Sequence, residues 1–563
     1  MHGFSRRDLI AALAAASATG MALSRAALAT DDGARGRPRG NHPVFAHGVA
    51  SGDPLQERVI LWTRVTPARP GDELEVRWRV ARDPQMRREV CKGSFRTDIR
   101  RDFTVKVDVE GLEPGRTYYY RFESRGARSP VGRTRTLPQG RLDAARLAFV
   151  SCSNFPFGYF NAYARIAERA DLDLVLHLGD YIYEYERDNP YRNPRILGQR
   201  DSVPENEIVT LTDYRQRHAQ YKGDPDLQEA HRQHPFICVW DDHESANDAW
   251  RDGAENHDPE SGEGEWSVRR RAAIRAYNEW MPIRSQGPAD GRIYRSFRLG
   301  NLADLIMLDT RLHGRDLQAA FKGQTQEIAA DDPTITDANR TLLGFDQEAW
   351  LYGRLSASQQ RGATWRLVGQ QVMMAQLSQT FGASYLNPDQ WDGYRPSRAR
   401  LYAHLRDNHI DNVVVMTGDI HSSWGHDLVD DPWAPGAYDP ATGRGVRGVE
   451  FVTPAVSSPG PLGENPPAAQ LAQLNALFPR LAPHTRYVDF VRRGYVLLDI
   501  DRERVQGEFW HVDTIDQRSG GQALGQSLVD VAGQNGLRPG PGVSPARSAP
   551  DPAPSSAEDR PAT

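Results

Sequence analysis

Cysteine is scarce in this chain. Cys91, Cys152 and Cys238 are the only three among 563 residues, too few for a disulfide framework and odd in number, so at least one thiol stays unpaired within the chain. An excess of one charge sign is also lacking: 69 lysines and arginines face 74 aspartates and glutamates, a formal charge of −5. Without a basic stripe there is no electrostatic case for a nucleic acid or an anionic membrane as principal partner. No apolar run beyond the N-terminal segment is long enough to cross a bilayer, so no transmembrane segment is expected. Repeats at solenoid periods are missing too. What is present is a 39% hydrophobic share with 12 Trp, 20 Tyr and 18 Phe, the make-up of a packed globular protein. The length exceeds one ordinary core and predicts two or more domains.

The N-terminus reads as an address. Ser5-Arg6-Arg7-Asp8 precedes a mild Ala-rich stretch that ends in Ala27-Leu28-Ala29, the pattern of a twin-arginine signal peptide over residues 1–29 with an A-x-A cleavage site. Its removal takes three arginines and one aspartate and leaves the mature chain near −7. The expectation is export by the twin-arginine machinery to the periplasm, cell envelope or extracellular space.

Residues 30–42 read as a flexible lead-in. Over residues 44–137, runs such as RVILWTRV, ELEVRWRVA, DFTVKVDVEGL and TYYYRFESRG alternate apolar and polar positions between Pro/Gly turns, which predicts a small β-sandwich domain. The segment VEGLEPGRTYYYRF resembles the late strands of a fibronectin type III-like domain. The character then changes. ARLAFVSCSN, LDLVLHLGD, HPFICVWDDHE, NLADLIMLDTR, ATWRLVGQQVMM and HIDNVVVMTGDIHSSW are near-continuous apolar runs with helical stretches between them. Such strands are buried on both faces and predict a layered α/β catalytic domain over residues 145–520, with any site at their C-terminal ends. RGYVLLDIDRERVQGEFWHVDT returns to strand character and is expected to extend the edge of this core. The Pro/Ser-rich residues 533–563 are expected to form a disordered tail.

Almost every one of those strands ends in residues able to hold a metal or a phosphate: Cys152, then Asp180 and Tyr183, then Asp241-Asp242-His243-Glu244 with Asn247, then Asp309-Thr310-Arg311, then Asp419 and His421. Singly, each has a plain structural reading as a core thiol, a turn-forming aspartate or a hydrogen-bonded histidine. Gathered at one sheet edge, the carboxylates would repel one another unless a cation neutralised them. Thiolate, phenolate and imidazole added to carboxylates favour a strongly Lewis-acidic transition metal, while carboxylates alone suit calcium or magnesium. Strand alternation leaves open which of Asp241 and Asp242 points inward. Cys91 and Cys238 read as structural.

SCSN, HLGDYIYE, WDDHE and TGDIHSSW, with GVASGDP and LWTRV upstream, together resemble the PhoD-type alkaline phosphatase and phosphodiesterase family, relatives of the purple acid phosphatases among the calcineurin-like metallophosphoesterases. The resemblance covers nearly all of the mature chain to about residue 520. It implies a calcineurin-like layered β-sandwich with flanking helices, beside the N-terminal fibronectin III-like sandwich. It further implies iron(III) next to one or two calcium ions. Cys152, Asp180, Tyr183 and His421 match the iron-side ligands, with Asp180 as bridge, and Asp242 and Asp419 match the positions facing calcium. By counting within the wider superfamily Asp242 is favoured over Asp241. His243 is implied as a phosphate contact or proton donor to the leaving group. Asn247 and Arg311 are candidate phosphate contacts, Arg311 because a guanidinium can fork two hydrogen bonds onto phosphate.

The implied activity is hydrolysis of phosphate mono- or diesters by metal-activated hydroxide, with no serine nucleophile required. Substrates in reach are small phosphate esters, lipids and wall polymers. A phospholipase D-type diesterase acting on phosphocholine lipids is the alternative within this chemistry. A non-catalytic exported protein with a closed structural metal is the alternative outside it, and the surplus of His243, Asn247 and Arg311 argues against that. Loops at 184–206, 253–266 and 381–396 are the segments that would shape specificity. QWDGYRPSRARL reads first as the start of a surface helix and second as a substrate-facing lid.

Overall fold

The computed structural model describes residues 43–284, 291–319, 332–377, 387–463 and 466–554. The signal segment 1–29, part of the third loop and the last nine residues of the tail lie outside them.

All six apolar runs form parallel strands, and they divide between two sheets. Ala144–Val150, Leu174–His177 and Pro235–Cys238 lie side by side in a ten-stranded sheet. Ala303–Met307, Trp365–Gly369 and Val413–Thr417 do the same in a seven-stranded sheet. Period-two alternation decides the layering. Leu305 and Met307, Val414 and Met416, and Val449 and Phe451 join Leu147, Phe149 and Leu497 in one core between the sheets. Their neighbours Ile306, Val413, Val415 and Val452 face the other way, into a second core with the helices Phe345–Gln360, Arg395–Asp407 and Ala468–Leu481. Helices Asn161–Ala167, Leu211–Lys222, Pro225–Gln233 and Trp266–Trp280 supply Tyr163, Tyr221, Ala230 and Tyr277 to the first core. Each fully buried large apolar side chain contributes about 1.5–3 kcal/mol.

The N-terminal strands do form a sandwich, but not a self-contained one. Leu74–Ala81, Glu89–Thr97, Thr117–Ser124, Ala127–Arg128 and Gly132–Arg135 make a five-stranded sheet. It packs Val76, Val80, Tyr118 and Phe122 against Val59, Leu61 and Val105. Those last three lie on strands that belong to the ten-stranded sheet, because Val49–Gly52 pairs in parallel with Pro235–Cys238 and carries Arg58–Arg64 and Thr104–Glu110 with it. Pro235–Cys238 would otherwise end the sheet with an unpaired edge. At the opposite side, Gly494–Asp501 pairs with Ala144–Val150 and extends the sheet through Arg504–Val512 and Gln522–Val531.

The expected disordered tail is corrected over residues 533–554. Arg538–Pro539 pairs with Leu528 and Val529. The chain then runs as an extended strap whose carbonyls accept from buried donors: Pro545 from Arg146 (2.8 Å), Asp551 from Tyr119 (2.6 Å) and Ala553 from Gln233 (3.1 Å). A proline-rich segment cannot build a ladder of its own. It is ordered here because side chains elsewhere supply the hydrogen bonds.

Candidate metal centre

The site is assembled where three strands stop. Cys152 follows Ala144–Val150, Asp180 follows Leu174–His177, and Asp419 and His421 follow Val413–Thr417. All four non-glycine residues adopt left-handed backbone, with φ of 61°, 55°, 65° and 54°. That conformation is uncommon for such residues and costs energy, so it persists only where the surroundings over-determine it. Glu244 does much of this, its carboxylate accepting from the backbone N–H groups of Asp180 (3.1 Å), Tyr181 (2.6 Å) and Asp241 (2.8 Å). Cys152 and Ser153 donate to the carbonyls of Gly179 and Asp180. Gly179, itself at φ 111°, leaves the gap that Asp241 enters, since a Cβ there would lie 2.3 Å from that of Asp241. The helix Leu211–Lys222 is closed by a Thr210/Asp213 capping box, and its Arg217 donates to the carbonyl of Tyr183.

The expected iron-side residues converge. Tyr183 Oη donates to Asp180 Oδ2 (3.0 Å) and lies 3.3 Å from His421 Nε2 and 2.6 Å from Ser458 Oγ. One donor atom each of Cys152, Asp180 and His421 lie within 4.8 Å of one another, and the same holds for Asp180–Asp242–His243 and for Asp241–Asp242–Asp419. Asp180 and Asp242 each belong to two of these groups, so the three share a chain of carboxylates. Both Asp241 and Asp242 point inward: the strand ends at Cys238, and the alternation that would separate them no longer applies.

His243 Nδ1 pairs with Glu184 Oε2 at 2.7 Å, and Glu184 also accepts from the Asn247 backbone N–H (2.8 Å) and from Asn256 Nδ2 (2.9 Å). The Asn247 amide itself is not brought to the cluster and donates instead to Glu255 (3.1 Å) on the exposed side. Arg311 is at the cluster but is fully buried. It donates to Asp241, to Asp389 (2.7 Å) and to Asp419 (2.7 Å), and lies 3.7 Å from Asp242. Its donors are turned to carboxylates, not to open space. Asp309 is a turn former, accepting from the N–H groups of Arg311 and Leu312.

Several contributors were not singled out from the sequence. Glu184 lies within YIYEYE, one residue beyond Tyr183. Ser458 sits in the small-residue run AVSSPG. Asp389 precedes and Gln390 opens the segment read first as a surface helix start; the helix Arg395–Asp407 does begin within it, but Gln390 is buried and donates to Asp419 (2.6 Å). That stretch is a wall of the site.

Charge balance fails at this edge. Burial pushes the carboxyls of Asp180 and Asp241 well above the usual carboxylate range, with Asp242 and Asp419 adding repulsion; His243 opposes the shift at Asp180, as Arg311 does at Asp241. Burial likewise raises Asp419 to about 6 and Glu244 to about 7. Asp242 stays below the usual range against its burial because Arg311 and His243 stand beside it. Asp180 Oδ1 and Asp241 Oδ2 are buried without a hydrogen-bond partner. Orphaned carboxylate oxygens among thiol, phenol and imidazole fit metal ions, since a cation inverts this local logic and keeps the acids ionised. Cys152, Tyr183 and His421 lie around Asp180, and Asp241, Asp242 and Asp419 form an all-carboxylate group beside them.

Two apposed mixed sheets flanked by helices bring a carboxylate-rich cluster to shared strand ends. The PhoD-like phosphatase family model matches residues 147–509, and the model for the PhoD-like phosphatase N-terminal domain matches residues 29–138. Alkaline phosphatase D of Bacillus subtilis (strain 168) is 36% identical over 510 residues, covering 88% of this chain and 82% of that protein. A solved structure of PhoD superposes with a TM-score of 0.78 at 34% identity, over 90% of this chain and 94% of that one. The chain belongs to the PhoD-like phosphatase family.

Proposed function

We propose that this phosphoesterase is exported by the twin-arginine route and works with iron(III) held by Cys152, Asp180, Tyr183 and His421 beside one or two calcium ions held by Asp242 and Asp419, with Asp180 shared between them. The observation that carries this is the pair of orphaned buried oxygens on Asp180 and Asp241 inside a mixed S, N and O donor set. Cations bound there would acidify a water molecule and offset charge on the phosphoryl oxygens. The chain's own residues do the rest. His243, with Nδ1 engaged by Glu184, has its ring beside Asp180 and Asp242 and is assigned the proton passed to the leaving alcohol. Arg311 holds Asp241, Asp389 and Asp419 at fixed spacing and neutralises part of their charge, a role its burial favours over direct phosphate contact. Asn247 acts through its backbone, by fixing Glu184. Tyr185 and Tyr191 lie half-buried beside His243 and Tyr183, where the organic part of an ester would rest. For export the support is the N-terminal sequence. Among the described residues no helix is long and apolar enough to cross a membrane.

The test is a side-by-side rate on an aryl phosphate monoester, a bis-aryl diester and a phosphocholine lipid. The mature chain is used with calcium, then after chelation. Activity abolished by chelator is expected, and the ranking of substrates separates monoesterase, diesterase and phospholipase D-type activity. The protein should also show a visible tyrosinate-to-iron band that Tyr183→Phe removes; a band that survives the substitution unchanged overturns the iron assignment.

A further inference from the structure

Tyr191 was not among the residues singled out by motif, and no step of the reaction above uses its hydroxyl. It sits on the long loop after Tyr183, half-buried, and its main chain is fixed at both polar atoms. Its N–H donates to Asn189 Oδ1 (2.8 Å), and its carbonyl accepts from Asn154 Nδ2 (3.1 Å), two residues beyond Cys152. Its ring centroid lies 6.0 Å from that of Tyr183, 6.1 Å from His421, 5.6 Å from Tyr185 and 6.4 Å from His243. One aromatic ring thus spans both halves of the site.

The hydroxyl carries the argument. Tyr191 Oη lies 3.0 Å from His421 Nδ1, while Tyr183 Oη lies 3.3 Å from Nε2 of the same ring. Two phenols from one loop therefore address the two nitrogens of one imidazole. A neutral imidazole has one N–H donor and one lone-pair acceptor. With Nε2, the nitrogen beside Tyr183, given to the metal of the reading above, the proton falls to Nδ1, and Tyr191 Oη is an acceptor within its reach, alongside the Pro459 carbonyl that also hydrogen-bonds this histidine. We propose that Tyr191 is a positioning residue for His421: by accepting the Nδ1 proton it selects the tautomer and ring rotation that present the Nε2 lone pair to the cluster. A metal-ligating histidine needs such a partner for its other nitrogen, and the partner is more often a carboxylate, carbonyl or water. Both the ligating role of His421 and the choice of tautomer rest on the metal reading above, because Tyr183 Oη, whose own proton goes to Asp180, is otherwise free to accept from Nε2.

The experiment uses the mature full-length chain as wild type, Tyr191→Phe and, as a control for loss of a loop phenol elsewhere, Tyr159→Phe, whose hydroxyl bonds Gln199. In protein loaded with gallium(III) as a diamagnetic stand-in for iron, with isotope-labelled histidine rings, the Nδ1 proton of His421 (assigned with His421→Gln) is expected to exchange slowly with solvent in wild type and Tyr159→Phe, and faster and at a shifted frequency in Tyr191→Phe. In iron-loaded protein, Tyr191→Phe is expected to lose iron to chelator about 10- to 100-fold faster, with kcat reduced and KM for an aryl phosphate unchanged. A His421 signal identical in Tyr191→Phe and wild type overturns the proposal, as does iron loss at the wild-type rate. Wild-type protein that holds no iron and shows no visible band would sink the metal reading and the proposal with it, whereas iron held by wild type and lost no faster from Tyr191→Phe sinks the proposal alone.

Discussion

The two ends of the ten-stranded sheet carry the same acidic residue type and treat it in opposite ways. At the N-terminal ends of the strands, buried Asp499 and half-buried Asp171 and Asp173 each meet a guanidinium. Arg146, fully buried, bonds Asp171 and Asp499 (2.9 Å), Arg547 adds a second bond to Asp499 (2.6 Å), and Arg135 pairs with Asp173. At the C-terminal ends, Arg311 is shared among Asp241, Asp242, Asp389 and Asp419, and Asp180 Oδ1 and Asp241 Oδ2 are left with no partner. The first end is neutralised from within the chain. The second is built to be completed from outside it. The balance of charge is what separates them.

The sharpest way to break this comparison is at the unbalanced end. Asp180→Asn should lower kcat/KM by at least about 100-fold, the scale of removing a group that organises transition-state charge. The metal-stripped variant should melt no lower than metal-stripped wild type, because one mutually repelling buried carboxyl is gone. A variant that kept its activity, or melted well below wild type when stripped, would mean that Asp180 is a structural aspartate like those at the far end.

At the balanced end, Arg146→Met leaves Asp171 and Asp499 facing each other and should cost about 3–5 kcal/mol, read by urea unfolding. Metal content and kcat of the surviving folded protein should match wild type. Loss of metal from this variant would show that the two ends are not independent.

The smallest effect sharpens the contrast through pH. Asp419 and Glu244 have folded-state values raised to about 6 and about 7 by burial. The native metal-stripped protein therefore binds protons more tightly than the unfolded chain. The stability this gives is fully present below about pH 4 and is lost as pH rises through 6 to 7. Metal-stripped protein should accordingly lose melting temperature over that window, whereas metal-loaded protein, in which the acids are already ionised against cations, should not. Parallel curves for the two forms would place the titrating groups elsewhere.

Much of this was legible one residue at a time. Continuous apolar runs ending in Cys152, Asp180, Asp419 and His421 are local signals, and each strand formed where its run predicted. His243 and Tyr183 lie within a few residues of those ends and were carried along by the same blocks. What local pattern could not resolve was anything that depended on where a strand stops or what lies across a gap. Asp241 and Asp242 were separated by strand alternation, yet the strand ends at Cys238 and both turn inward. Asn247 and Arg311 were proposed for phosphate, but only the folded chain shows the first on Glu255 and the second enclosed by carboxylates. Composition made residues 533–563 a disordered tail, and composition has no knowledge of Arg146, Gln233 and Tyr119 waiting with donors for residues 545–553.

By itself, then, the sequence determined the chemistry available: strands buried on both faces, and thiol, phenol, imidazole and carboxylate at their ends, because burial and period-two alternation are properties of neighbouring residues. Only the tertiary structure decided the charge balance, the sharing of Arg311, the contacts of Tyr191 with His421 and the single sheet that runs from the N-terminal sandwich into the catalytic core. Those depend on pairs from 70 to more than 300 residues apart, such as Arg311 with Asp241 or Arg146 with Asp499, and no short window along the chain contains both members of such a pair.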